Sequence, residues 1–127
     1  MKSGKFLFIA LAALIFLAGS SVAYVGDELV GTYRGAFVGR DDYGSFIITV
    51  HPDGFVEGQG RSAESLIDLV ISGEARRDGY IEFSTVEGGE VPIIFSGQID
   101  FMKRIFGKWV YEDRSARGSF TAMPVLD

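Results

Sequence analysis

Few residues in this chain are equipped for chemistry. His51 is the only histidine and there is no cysteine. A zinc site drawn from nitrogen and sulfur ligands therefore has no second member. Thiol nucleophiles, cysteine-based metal sites and a lipidated N-terminal cysteine are excluded. A serine hydrolase needs its nucleophile on a strained turn, and no Gly-x-Ser-x-Gly elbow occurs. Asp41-Asp42 and Glu112-Asp113 are paired carboxylates, a type that hydrolyses glycosides or binds calcium. Neither pair has the alternating oxygen spacing of a calcium loop, so both are read as solvated loop charge. His51 precedes Pro52 and reads as a solvated or turn-capping residue. Asp68 interrupts Leu66-Ile67-Asp68-Leu69-Val70 and faces either solvent or a polar interior. The expectation is a protein that is not an enzyme and has no cofactor and no metal.

Recognition is the better-supplied capacity. Trp109 is the only tryptophan and shares a strand face with Ile105, Gly107 and Tyr111. It reads either as a core anchor or as a wall on which a ligand stacks, with Phe95 across from it. Apolar pockets with a few polar groups are the usual small-molecule sites. Phe101-Met102 and Ile105-Phe106 flank the Lys103-Arg104 bend. They either tuck under the fold or mark a contact with a partner or a second copy.

The elements that must position these residues are all strands. Short alternating runs recur between turn clusters, and no stretch after the first 23 residues has a convincing helical period. Eight strands are expected: Leu29–Val38, Ser45–His51, Phe55–Arg61, Leu66–Ala75, Tyr80–Thr85, Val91–Asp100, Arg104–Tyr111 and Arg117–Met123. Pro52-Asp53-Gly54 and Asp78-Gly79 are hairpin signals, because proline presets one turn dihedral and glycine accepts positive φ. Glu87-Gly88-Gly89-Glu90 is a further turn. Seven short connections describe an antiparallel up-and-down meander. An open sheet would leave two unpaired edges, and eight strands close well into a small barrel. Ile71-Ser72-Gly73-Glu74 and Phe95-Ser96-Gly97-Gln98 share a pattern, as a hairpin-built sheet allows.

Residues 1–23 read as a secretory signal peptide. Lys2 and Lys5 precede an uncharged apolar run, Phe6 to Ala18, and Ser21-Val22-Ala23 supplies small residues for cleavage after Ala23. The run is shorter than the roughly 20 residues of a spanning helix. The domain division is thus 1–23 and 24–127. The expected location is periplasmic or secreted, with no membrane span once the signal is removed. Seventeen acidic against twelve basic residues give a net charge of −5, which repels phosphate backbones and argues against nucleic acid. The only basic pairs outside the signal, Arg76-Arg77 and Lys103-Arg104, sit at expected turns and read as solvated.

Two blocks resemble the avidin and streptavidin family. Gly44 to Ala63, with Gly-Ser-Phe-Ile-Ile-Thr-Val, Asp53-Gly54, Gly58 and Ser62-Ala63, is similar to that family's second and third strands. Phe95-Ser96-Gly97-Gln98 followed by Lys108-Trp109-Val110 is similar to its aromatic-Ser-Gly-Gln strand and the tryptophan strand after it. Gly31-Thr32-Tyr33 sits where the family opens with Gly-Thr-Trp. The resemblance implies a calycin-type barrel. It also implies ligand-binding roles for Ser45 and Ser62, which match two of the family's serines, and for Trp109 and Phe95, which occupy tryptophan positions. Gly35, Gly60, Ile93 and Gly118 stand where the family has other biotin ligands, so biotin itself is not implied.

Three functions compete. The first is an exported binding barrel holding a small, partly apolar ligand in its mouth, at Ser45, Ser62, Phe95 and Trp109. The second is a protein-interaction module, such as an inhibitor or envelope-complex subunit, with a filled core. The third is an outer-membrane barrel, which the charged outward residues Arg34, Glu57, Arg61, Glu82 and Lys108 oppose. A homo-oligomer is compatible with the first two. The state of the interior discriminates them: an open cup suits a ligand, and a filled one suits a protein partner.

Overall fold

The computed structural model describes residues 26–64, 68–87 and 91–126. The expected signal peptide, the expected strand start at Leu66-Ile67 and the turn residues Gly88-Gly89-Glu90 lie outside the described residues. Eight strands follow in chain order: β1 Gly31–Gly39, β2 Tyr43–Val50, β3 Phe55–Ser62, β4 Asp68–Ala75, β5 Tyr80–Glu87, β6 Ile93–Ile99, β7 Ile105–Tyr111 and β8 Arg117–Pro124. Each pairs antiparallel with the next, and β8 returns to β1 with Phe37 opposite Phe120. The sheet is a closed barrel in the order β1 to β8, the expected meander. Leu29 departs from expectation. It ends a 3-10 turn, Asp27–Leu29, instead of opening a strand, and its side chain is buried.

Two rims result from this topology. The terminal rim carries residues 26–30, the turns at 51–54, 76–79 and 100–104, and residues 125–126. The far rim carries the turns at 40–42 and 112–116 and the ends of β3 and β5. The turn signals act as read: Gly54 and Gly79 both have φ +92°, where a side chain would be strained. Asp53 and Asp78 each accept the amide two residues on, from Phe55 (2.9 Å) and Tyr80 (3.0 Å).

Side chains alternate in and out, as strand geometry requires. The inward set fills the barrel: Tyr33, Phe37, Phe46, Ile48, Val50, Val56, Leu69, Ile71, Ile81, Phe83, Phe95, Ile105, Trp109 and Phe120 are all buried. Phe83 stacks on Phe95 with ring centroids 4.8 Å apart, Phe46 and Phe120 meet both at 5.4–5.6 Å, and Phe46 and Phe120 are 5.9 Å from each other. Phe37 stands edge-on to Phe95 and to Trp109, 5.4 Å from each.

Glycines make room for this cluster. In the strand register Phe46 lies between Gly35 and Gly60, while Phe83 faces Gly73, Phe120 faces Gly107 and Trp109 faces Gly118. A Cβ on Gly107 would sit 2.2 Å from the Ser96 carbonyl oxygen and 2.6 Å from the Phe120 ring. The pairing of large rings with absent side chains is how a narrow barrel reaches interior packing density. Outward, Arg34, Glu57, Arg61, Glu82 and Lys108 are exposed as expected.

Candidate functional site

The far rim gathers most of the residues singled out in the sequence. Asp42, in the β1–β2 turn, is only 3% exposed. Its Oδ2 accepts hydrogen bonds from the Ser62 hydroxyl and the Tyr111 hydroxyl, both at 2.6 Å. Its Oδ1 accepts from the backbone amides of Tyr43 (2.7 Å) and Glu64 (3.1 Å). Among the described residues no cation reaches this carboxylate. Its burial is offset by four donors, which is how a buried charge is held without an ion pair. Burial and the adjoining Asp42 carboxylate push the Tyr111 phenol well above its ordinary range, so it stays a donor.

Below this layer lie the aromatic candidates. The Tyr111 ring is 5.8 Å from Trp109, and Trp109 pairs across the sheet with Phe95. The Trp109 indole N–H donates to the Val38 carbonyl at 3.0 Å. Trp109 and Phe95 are each 1% exposed. The structure therefore places Trp109 as a core anchor. Other buried polar groups are also engaged: Thr85 accepts from the Ile93 amide at 2.9 Å, and the Tyr33 hydroxyl donates to the Leu29 carbonyl at 2.7 Å.

Three of the four candidates thus form one chain of contacts, Ser62 through Asp42 and Tyr111 to Trp109 and Phe95. Ser45 does not join it. Ser45 points outward from β2 and lines a depression of about 520 Å³ on the outer wall of β1–β4, together with Arg34, Ile47, Gln59, Arg61 and Asp68. Asp68 faces solvent there and pairs with Arg61 at 3.2 Å. No ion pair engages Arg34 among the described residues.

Several sequence expectations are corrected. Asp42 is not solvated loop charge, since the turn folds it under Ser62 and Tyr111. Closure of β8 onto β1 brings the turns of both acid pairs to the far rim. Lys103 and Arg104 are half-buried and engaged: Lys103 donates to the Val30 carbonyl at 3.0 Å, and Arg104 pairs with Asp100 at 3.2 Å. His51 lies within 2.6 Å of Glu57 and stacks over Phe55. Asp42 and Tyr111 were the members that sequence reasoning missed. The inward alternation of Trp109 and Tyr111 was a usable signal for Tyr111, but a turn aspartate carries none.

Comparison with known proteins leaves the fold as the shared property. No family model and no curated protein matches the chain. Among solved structures, that of EF1p2_mFAP2b bound to DFHBI matches with a TM-score of 0.53 at 13% identity, covering 80% of this chain and 95% of that one. A likeness at that identity speaks for the barrel alone. DFHBI is the ligand of that protein.

Proposed function

We propose that this chain is an exported, non-catalytic binding barrel that meets a protein partner with its outer surface. One observation carries the reading: the interior is occupied by the chain's own rings, from Phe46 and Phe83 through Phe95 to Trp109. A barrel filled this way keeps its wall and turns for recognition. The depression around Arg34 and Ser45 is one featured part of that wall. It offers the Arg34 guanidinium, which has no ion pair among the described residues, beside Ser45, Gln59 and the Arg61–Asp68 pair, and a guanidinium with neutral hydrogen-bonding neighbours suits a partner's carboxylate. Export, to the periplasm or beyond the cell, rests on the leader pattern of residues 1–23. The avidin-like resemblance enters at the level of the barrel.

A second reading keeps the small, partly apolar ligand at the far rim, with Ser62, Phe95 and Trp109 beneath it. Its support is the likeness to a barrel solved with a small molecule bound. In this reading the Asp42 layer would have to open.

Native mass spectrometry of the protein, purified gently from its own compartment, separates the two. The expected spectrum holds a second polypeptide that is lost in Arg34→Glu. A retained small-molecule mass that survives Arg34→Glu, with Trp109 emission shifting on its release, would overturn the outer-surface reading in favour of the far rim. An uncleaved chain would overturn the signal assignment.

A further inference from the structure

The barrel wall is electrically two-sided. Strands β7, β8, β1 and β2 contain Lys108, Arg117 and Arg34 and no acidic residue. Strands β3 to β6 contain the acids Glu57, Asp68, Glu74, Glu82 and Glu87 against a single cation, Arg61. The turns at both rims mix the two signs, so the polarity belongs to the wall. It is a product of closure. β1–β2 and β7–β8 lie at opposite ends of the sequence and form one face because β8 pairs with β1. The midline of the cationic half, between β8 and β1, lies across the ring from that of the acidic half, between β4 and β5.

Part of the acidic half is engaged within the molecule. Arg61 pairs with Asp68, and His51 lies against Glu57. Glu74 and Glu82 are left directly opposite one another in the β4–β5 register. Both are exposed, and no ion pair engages either among the described residues. Glu82 accepts from the Tyr80 hydroxyl at 3.3 Å. Like charges placed opposite across two strands destabilise the pairing. The two carboxylates edge a depression of about 330 Å³ that Ser72, Ser84 and Ile94 also line. On the cationic half, Arg34, Lys108 and Arg117 are exposed, and they too have no ion pair among the described residues. Each half also shows apolar side chains to solvent, Phe106 and Met123 on one and Phe55 and Val70 on the other. Exposed apolar area beside unpaired charge of one sign is the make-up of an interface, where opposite potentials meet.

We infer, on the basis of the outer-surface reading, that the partner is a second copy of this chain, the cationic half of one copy docking on the Glu74–Glu82 face of the next. An unrelated acidic protein would answer Arg34 and leave the Glu74–Glu82 pair uncompensated. A second copy answers both, because the two complementary faces are carried by one molecule. The contact is heterologous, and its two faces look in opposite directions. Docking therefore leaves one free face of each sign, and copies add in an open row.

Sedimentation velocity over a concentration series tests this on the protein purified from its own compartment. The wild type is expected to grow past the dimer in about 20 mM salt and to associate roughly tenfold more weakly in about 500 mM. Two double variants, Arg34→Glu with Lys108→Glu and Glu74→Arg with Glu82→Arg, reverse exposed charges on opposite faces. Each alone is expected to sediment as a monomer. Mixing the two should restore association, because each keeps the face that the other has lost. A wild type monomeric at low salt, growth that stops at a dimer, association unmoved by either reversal, or a mixture that stays monomeric would overturn the inference. A wild type that does not self-associate yet carries a different polypeptide, lost in Arg34→Glu, would overturn it and leave the outer-surface reading standing.

Discussion

The Tyr111 hydroxyl donates to the Asp42 carboxylate at 2.6 Å, joining the last residue of β7 to the turn between β1 and β2. The bond spans the rim, so its loss affects the packing of the barrel mouth as well as one polar contact. Tyr111→Phe removes a hydrogen bond to a charged acceptor and is expected to cost about 1–3 kcal/mol. Asp42→Ala leaves Ser62, Tyr111 and two amides short of an acceptor and should cost at least as much. Urea midpoints of the two single variants and the double variant check this. A double variant much less destabilised than the sum of the singles is the expected sign of coupling.

The phenols make stability pH-dependent on the alkaline side. Tyr33 is pushed up to about 12 by burial, from an ordinary value of 10.0, and Tyr111 is raised as well. A raised folded-state pKa means that the folded form holds its proton more tightly. The contribution is therefore fully present below pH 10 and is lost as pH climbs through about 12. Chemical denaturation at pH 9, 10.5 and 11.5 should show falling stability for the wild type and a shallower fall for Tyr33→Phe.

The ring–glycine register predicts that the glycines tolerate no methyl group. Gly107→Ala would place Cβ against the Ser96 carbonyl, and Gly73→Ala would place it 2.1 Å from the Glu82 carbonyl. Both atoms are backbone, so trimming a neighbouring ring gives little relief. A destabilisation of about 1–3 kcal/mol or more is expected for each, read from thermal unfolding. Pairing Gly107→Ala with Phe120→Leu should recover only part of it.

Cutting into the ring cluster should open a cavity in the barrel interior. Phe95→Ala removes the ring that touches Phe37, Phe46, Phe83 and Phe120, with an expected loss of about 3–5 kcal/mol. An apolar void of that kind stays dry and takes small aromatic molecules. Benzene should raise the melting temperature of Phe95→Ala and leave the wild type unmoved.

Much of this architecture was legible in the chain. Pro52-Asp53-Gly54 and Asp78-Gly79 announced their turns because their φ requirements are local. Phe46-Ile48-Val50 announced its inward face because the strand period is two. The observed strand ends lie within two residues of those expected wherever both are described. The candidate site was only partly legible. Trp109 and Phe95 were visible as inward aromatics, but whether they line a cup or plug it depends on how many rings share the interior, a sum over all eight strands. Asp42 was opaque for a different reason. Its burial depends on Ser62 and Tyr111, which are distant in sequence and meet it only when the barrel closes. Ser45 carried the right residue type on the wrong face for a mouth ligand.

Closure of β8 onto β1 also bears on when the protein can exist. Every other strand pairing joins neighbours along the chain, and this one joins its two ends. A growing chain lacking Arg117–Pro124 can form hairpins but keeps two open edges and an uncovered Phe37, so the native state becomes available only after the last strand has left the ribosome. Until that moment the chain remains threadable. Its commitment to a folded form comes late, after the opportunity for transport in an extended state.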